Sequence, residues 1–141
     1  MFIALAASIK YIFDKGGILP TIVNQINAAV SGRSPAAVAL ILYLIVLVLE
    51  FFISSSTAKA ILVMGLLSTV SLGLSDRMMV LIYTFADGYT NVLFPTSPVL
   101  LIALSMIGME YFKWVKKSLA LFMGTLALVI LFMFIGIVTG Y

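Results

Sequence analysis

Histidine and cysteine are both absent from this chain. Their absence excludes disulfides, thiolate metal sites and the imidazole that serves as the commonest metal ligand and general base. Charge is scarce as well. Only 9% of the 141 residues are Asp, Glu, Lys or Arg, against roughly 25% in a soluble domain. Hydrophobic residues make up 64% and the mean hydropathy is +1.28. A water-soluble globule is excluded, and an all-α multi-pass membrane protein is expected. The net charge of +3 comes mostly from Lys113, Lys116 and Lys117. They form a juxtamembrane cluster with no broader basic stripe, so no nucleic-acid partner is expected. No paired-carboxylate constellation supplies a catalyst either, so the chain is not read as an enzyme and no cofactor is expected.

What is present is a series of apolar runs with a few polar interruptions. The start, Met1–Ala7, lacks the basic region of a signal peptide and reads as structural. Phe2–Phe13 is too short to span hydrocarbon alone, which takes about 20 residues. It ends at Asp14-Lys15-Gly16-Gly17, with Lys10 and Asp14 spaced as a local ion pair. Ile18–Val30 has helical apolar spacing with Asn24, Gln25 and Asn27 on other faces, so residues 1–33 read as a helix end plus an interfacial or bundle helix. Ser34 is placed to cap the next helix, with Pro35 in its first turn. Residues 35–74 read as a helical hairpin with its tip at Ser54-Ser55-Ser56-Thr57, either re-entrant or fully spanning. Glu50 and Lys59 flank that tip and can pair across it.

Residues 76–109 contain the second interruption. Met78–Met109 is too long for one simple span, and Pro95 and Pro98 each remove an amide donor and push the preceding residue out of helical geometry. Two half-helices joined by an extended bridge at Phe94–Pro98 are predicted, with Ser75 or Asp76 as the first N-cap. Residues 110–117 carry Tyr111, Phe112, Trp114 and three lysines, which is aromatic-belt and positive-inside chemistry. Residues 118–140 form the terminal transmembrane helix, with Gly124, Gly136 and Gly140 able to permit close contacts. With Lys113–Lys117 cytoplasmic in a plasma (inner) membrane, the C-terminus and Ser75–Arg77 lie outside. Two broken hydrophobic segments in one chain point to a transport site.

Glu50-Phe-Phe-Ile-Ser-Ser-Ser-Thr-Ala-Lys59-Ala60 resembles the Phe- and Ser-rich hairpin of the anaerobic C4-dicarboxylate carrier family. Asp87-Gly-Tyr-Thr-Asn91 with Pro95-Thr-Ser97, followed by Tyr111-x-Lys-Trp114, is similar to motifs of its basic amino acid antiporter-like branch. The resemblance covers nearly the whole chain but only the carboxy-terminal part of such a carrier. It implies one repeat of an inverted-repeat transporter, with a re-entrant helical hairpin and a broken transmembrane helix. The missing amino-terminal half or another copy then completes the cavity. Ser54 stands where many relatives have proline, a departure at the tip itself.

The candidate site follows. Ser54, Ser55, Ser56 and Thr57 place hydroxyls and free amides at a helix start, where partial positive charge suits a carboxylate; the same residues can also simply cap the returning helix. Asp87 is either a carboxylate paired with a lysine or capping a half-helix, or else a group that carries a coupling proton, holds Na⁺ or faces a cationic solute. Asn91 lies one turn on, on the same face. Thr96 and Ser97 sit at the break, where hydroxyls and unwound carbonyls ligate hard cations. Substrate binding is therefore expected at Ser54–Thr57, Asn91, Thr96 and Ser97, and ion coupling, by H⁺ or by Na⁺, at Asp87, Asn91 and Thr96. The expected function is secondary transport of a small carboxylate-bearing solute by exchange or ion coupling, with an amino acid such as arginine or ornithine as substrate. A C4-dicarboxylate carrier and a non-transporting membrane scaffold are the alternatives.

Overall fold

The computed structural model describes residues 15–53, 56–67 and 73–141. The segment Phe2–Phe13, the Lys10–Asp14 pair and the tip residues Ser54 and Ser55 lie outside these. Six helices occupy the described residues: α1 Ile18–Val30, α2 Pro35–Phe52, α3 Ser56–Leu67, α4 Asp76–Leu93, α5 Pro98–Met106 and α6 Tyr111–Thr139.

Local chemistry sets the boundaries. Ser34 caps α2 by accepting from the Ala37 amide at 3.4 Å, and Pro35 takes the first position, where its missing N–H costs nothing. Ser75 caps α4 in the same way through the Met78 amide, at 3.1 Å. Its hydroxyl also donates to the Tyr141 carbonyl, which joins the start of α4 to the end of the chain. After Leu93 the backbone is extended at Phe94, and Ser97 closes a tight turn by donating its amide to the Phe94 carbonyl at 3.0 Å. Ser97 then caps α5 through the Leu100 amide. Gly108, at φ +63°, ends α5 and lets Met109 donate to the Leu104 carbonyl. The lysine-bearing residues 111–117 and the apolar run after them form one continuous helix of 29 residues.

The packing is that of a membrane protein turned toward its own polar side. On α2 the row Val38, Leu42, Val46, Glu50 is buried, while Leu40, Leu44, Val48 and Phe52 are exposed. Both faces are apolar, and the charge sits on the inner one, as expected where the surroundings are lipid. α2 and α4 make the most extensive contact, and α4 also packs on α3 and α6. The shared core joins Leu42 and Val46 of α2, Val63 and Leu67 of α3, Met78, Ile82 and Ala86 of α4, and Met133 of α6. Of the two glycines within the last helix and Gly140 at its C-cap, only Gly136 is pressed by a neighbour: a Cβ there stands 3.3 Å from the Met78 sulfur. Three stretches, Pro35–Phe52, Asp76–Met106 and Tyr111–Thr139, are long and apolar enough to cross a membrane. The protein is an all-α, multi-pass membrane bundle with one broken helix.

Candidate functional site

Three charged side chains meet inside the bundle. Glu50 ends the buried row of α2, Lys59 lies in the first turn of α3, and Asp87 projects from α4. The Lys59 ammonium stands 2.5 Å from Glu50 Oε2 and 2.6 Å from Asp87 Oδ1. Side-chain exposure is 3% for Lys59, 0% for Glu50 and 25% for Asp87. One ammonium therefore serves two carboxylates, one of them fully enclosed. The Thr90 hydroxyl is 3.3 Å from Glu50 Oε2 and 3.1 Å from the Asp87 carbonyl, so its single proton can serve either. Glu50 Oε1 and the Tyr43 hydroxyl are buried and make no hydrogen bond among the described residues. Desolvated ions are expensive, and only good geometry and further hydrogen bonds compensate them. Here the compensation is complete on Oε2 and missing on Oε1.

Beside this cluster lies a cavity of about 10 Å³, lined by Glu50, Lys59, Thr90, Asn91, Thr96 and Ser97 among others. That is the size of about one water. The α4–α5 break forms one wall and the end of α2 with the start of α3 forms the other. Of the residues expected from sequence, Asn91, Thr96 and Ser97 are brought together here. Ser97 is buried, with its hydroxyl committed to the α5 cap. Asp87 does not line the cavity and connects to it through Lys59. Within the tip tetrad, Ser56 opens α3 and Thr57 is exposed; Ser54 and Ser55 lie outside the described residues. The described hairpin wall is instead Glu50, Ile53 and Lys59. Sequence reasoning named the Glu50–Lys59 pair and a lysine partner for Asp87 separately, but not that one lysine serves both, and it missed Thr90. The available signal was that Glu50 is the only charge in α2 and Lys59 the only charge in α3.

Residues 1–138 match the C4-dicarboxylate anaerobic carrier family. The chain belongs to this carrier family. Over 106 residues, 74% of its length, it is 32% identical to YfcC, a candidate basic amino acid antiporter of Escherichia coli (strain K12). The chain spans about a fifth of that relative's length, 21%. No solved structure matches it. Membership places the chain among carriers rather than enzymes. No group of three or more His, Cys, Asp or Glu side chains placed to hold a metal gathers among the described residues.

In this carrier-family chain the break is held from outside by α6. A helix end leaves its last carbonyls without intrahelical partners, and in lipid each must find another donor. At the end of α4 the Leu93 carbonyl accepts from the Tyr111 hydroxyl at 2.8 Å and the Val92 carbonyl from the Trp114 indole at 3.3 Å. Phe122 stands edge-on to both Trp114 and Tyr89, at 6.2 and 6.4 Å between ring centres, and ties α6 to α4. The sequence pattern assigned Tyr111 and Trp114 to the membrane interface. The structure shows that their polar atoms also complete the broken helix.

Proposed function

We propose that this chain supplies one wall of the solute pathway of a secondary transporter, in which α2–α3 is a re-entrant hairpin and α4–α5 a broken helix. The observation that carries this reading is Lys59, buried between Glu50 and Asp87 beside the break. An ionisable cluster inside an apolar bundle is costly, and it is the ordinary mark of a solute or ion pathway. The hairpin reading is supported by the buried Lys59–Glu50 ion pair, which joins the start of α3 to the end of α2 at the tip. The one-water cavity admits no organic solute as it stands. The facing wall therefore belongs to further chain of the carrier, as one half of an inverted repeat, or to another copy.

The solute is a small carboxylate-bearing molecule, and an amino acid such as arginine or ornithine fits best. Two carboxylates against one ammonium favour a solute that brings its own cationic group and disfavour a dianion. The wider family's name and the ammonium of Lys59 support a C4-dicarboxylate as the second reading. Movement is by exchange or ion coupling, with no covalent step. Asn91, Thr96 and Ser97 orient the solute at the break, and the tip residues Ser54–Thr57 offer amides and hydroxyls to its carboxylate. Lys113, Lys116 and Lys117 face the cytoplasm by the positive-inside rule. Ser75 and Tyr141, which touch, then share the outer side with the start of α2.

The test is uptake into proteoliposomes by the carrier purified with whatever further chain its gene encodes. Labelled arginine, ornithine and succinate are offered to the parent protein, Asp87→Asn and Asn91→Ala. Arginine–ornithine exchange that falls about tenfold or more in each variant, equivalent to about 1.4 kcal/mol, supports the site. Unchanged exchange in both variants rejects it, and uptake of succinate alone reverses the choice of solute.

A further inference from the structure

From the charge count around Lys59 we infer that Glu50 Oε1 carries the exchangeable proton of this site, so that the resting cluster is a Glu50 carboxylic acid beside a Lys59–Asp87 ion pair. The inference rests on the transport reading for its purpose but not for its chemistry.

Among the described residues, the elements around Glu50 supply no second cation. α1, which packs on α2, carries no charged residue, nor does α5. α3 offers Lys59 alone. α4 offers Asp87, with Tyr83 as a further titratable group, and its Asp76 and Arg77 stand at the far end, more than two turns before Asp87. α6 meets α2 through Ile130, Met133 and Phe134, and its lysines lie in its exposed first turns. Within α2 itself, Tyr43 is the other titratable group. With all three members of the cluster ionised, one negative charge stays uncompensated in a fully enclosed position. Such a charge costs several kcal/mol, and the group neutralises instead.

The two carboxylates are not equivalent. Asp87 is a quarter exposed, so water shares its charge. Glu50 is enclosed, with Oε2 taking the Lys59 ammonium and the Thr90 hydroxyl while Oε1 takes nothing. A proton added at Oε1 turns the unpaired acceptor into a donor. The oxygens of Asn91, Thr96 and Ser97 around the cavity, or one water within it, can receive that bond. The reaction is protonation alone: carboxylate plus H⁺ gives the acid, and the reverse step returns the proton to the cavity. A sodium ion is disfavoured there, because the Lys59 ammonium forms part of the lining and repels a second cation. A solute whose cationic group arrives at Glu50 expels the proton, which is the coupling that an exchanger needs.

Infrared spectroscopy of the intact carrier in D₂O, free of sodium, tests the assignment without any transport assay. The protonated-carboxyl C=O band is followed across pH in the parent protein, Glu50→Gln, Asp87→Asn and Thr90→Val. The expected result is one band present at neutral pH that is lost in Glu50→Gln and retained in Asp87→Asn. In Thr90→Val it shifts, because a hydrogen bond to the same carboxyl is gone, and this outcome stands even when Glu50→Gln does not fold. A parent protein without the band, a band lost only in Asp87→Asn, an unmoved band in Thr90→Val, or a band that sodium abolishes at constant pH each overturns the proposal. A band that behaves as expected in a protein that moves no solute keeps the proton site and removes the transport reading.

Discussion

Tyr111 and Leu93, eighteen positions apart, are joined by a 2.8 Å hydrogen bond from phenol to backbone carbonyl. The bond crosses from the first residue of α6 to the last of α4 and closes the end of a helix that the following proline forbids from continuing. Removing it leaves a carbonyl without a donor where little water is available. Tyr111→Phe is expected to lower stability by about 1 kcal/mol, and amide exchange is expected to quicken around 94–98. Trp114→Phe acts on the Val92 carbonyl in the same way. Reversible unfolding in mixed detergent micelles measures the first effect, and mass-resolved hydrogen exchange the second. Unchanged exchange in both variants removes the aromatic clasp from the account.

Lys59 has the highest stakes of any lysine in the described residues. Lys59→Met strips both carboxylates of their cation, and loss of one partner of a buried ionic cluster costs about 3 kcal/mol or more. Adding Asp87→Asn is expected to restore most of the loss, because the doubly substituted site no longer contains an orphaned pair of acids. Exposed Lys116→Met is the control, with a change within about 0.5 kcal/mol. Equal effects of Lys59→Met and Lys116→Met in the same unfolding assay contradict the burial of the cluster.

Two glycines of α6 separate close packing from mere permissiveness. Gly136 is in contact with Met78 and Leu81 of α4, whereas Gly124 has nothing within 4 Å of its position. Gly136→Leu is expected to force α4 and α6 apart at a cost of about 1–3 kcal/mol. Gly124→Ala is neutral or stabilising by up to about 1 kcal/mol. The pair is read out by unfolding midpoints, and a costlier Gly124 substitution reverses the assignment.

Ser97 and Ser34 make the same cap in different surroundings. Ser34 is exposed, and water can replace its oxygen, so Ser34→Ala is expected to cost about 0.5 kcal/mol. Ser97 is buried at the break, and Ser97→Ala is expected to cost about 1–2 kcal/mol, at the upper end for caps. Equal losses show that the break is as wet as the surface.

The elements with local signals were legible. Ile18–Val30 has the bounds that its periodicity gives, and the caps at Ser34 and Ser75 and the break after Leu93 follow from serine and proline chemistry alone. Asn91 and Thr96 could be grouped because spacing and the break place them together. Contacts between helices carry no such signal. Glu50, Lys59 and Asp87 come from three separate helices, and sequence offers only the charge of each, so sharing of one ammonium became visible only with the packing. Thr90 was overlooked because a threonine in an apolar helix most often bonds back to its own turn. The aromatic pair was assigned to the interface because nothing in the Tyr-x-Lys-Trp pattern reveals which carbonyls lie within reach.

At 29 residues, α6 measures about 43 Å, longer than the roughly 30 Å that hydrocarbon requires. Its surplus is the stretch that carries Lys113, Lys116 and Lys117, and the same stretch carries Tyr111 and Trp114, which grip the end of α4. On the proposed topology, headgroups that hold the lysines thereby fix the depth of the break, as a float fixes the depth of a hook. A thicker or thinner bilayer transmits its change of level through two aromatic side chains to the polar centre. On that topology lipid chain length becomes a mechanical input to the place where this carrier chain keeps its charge.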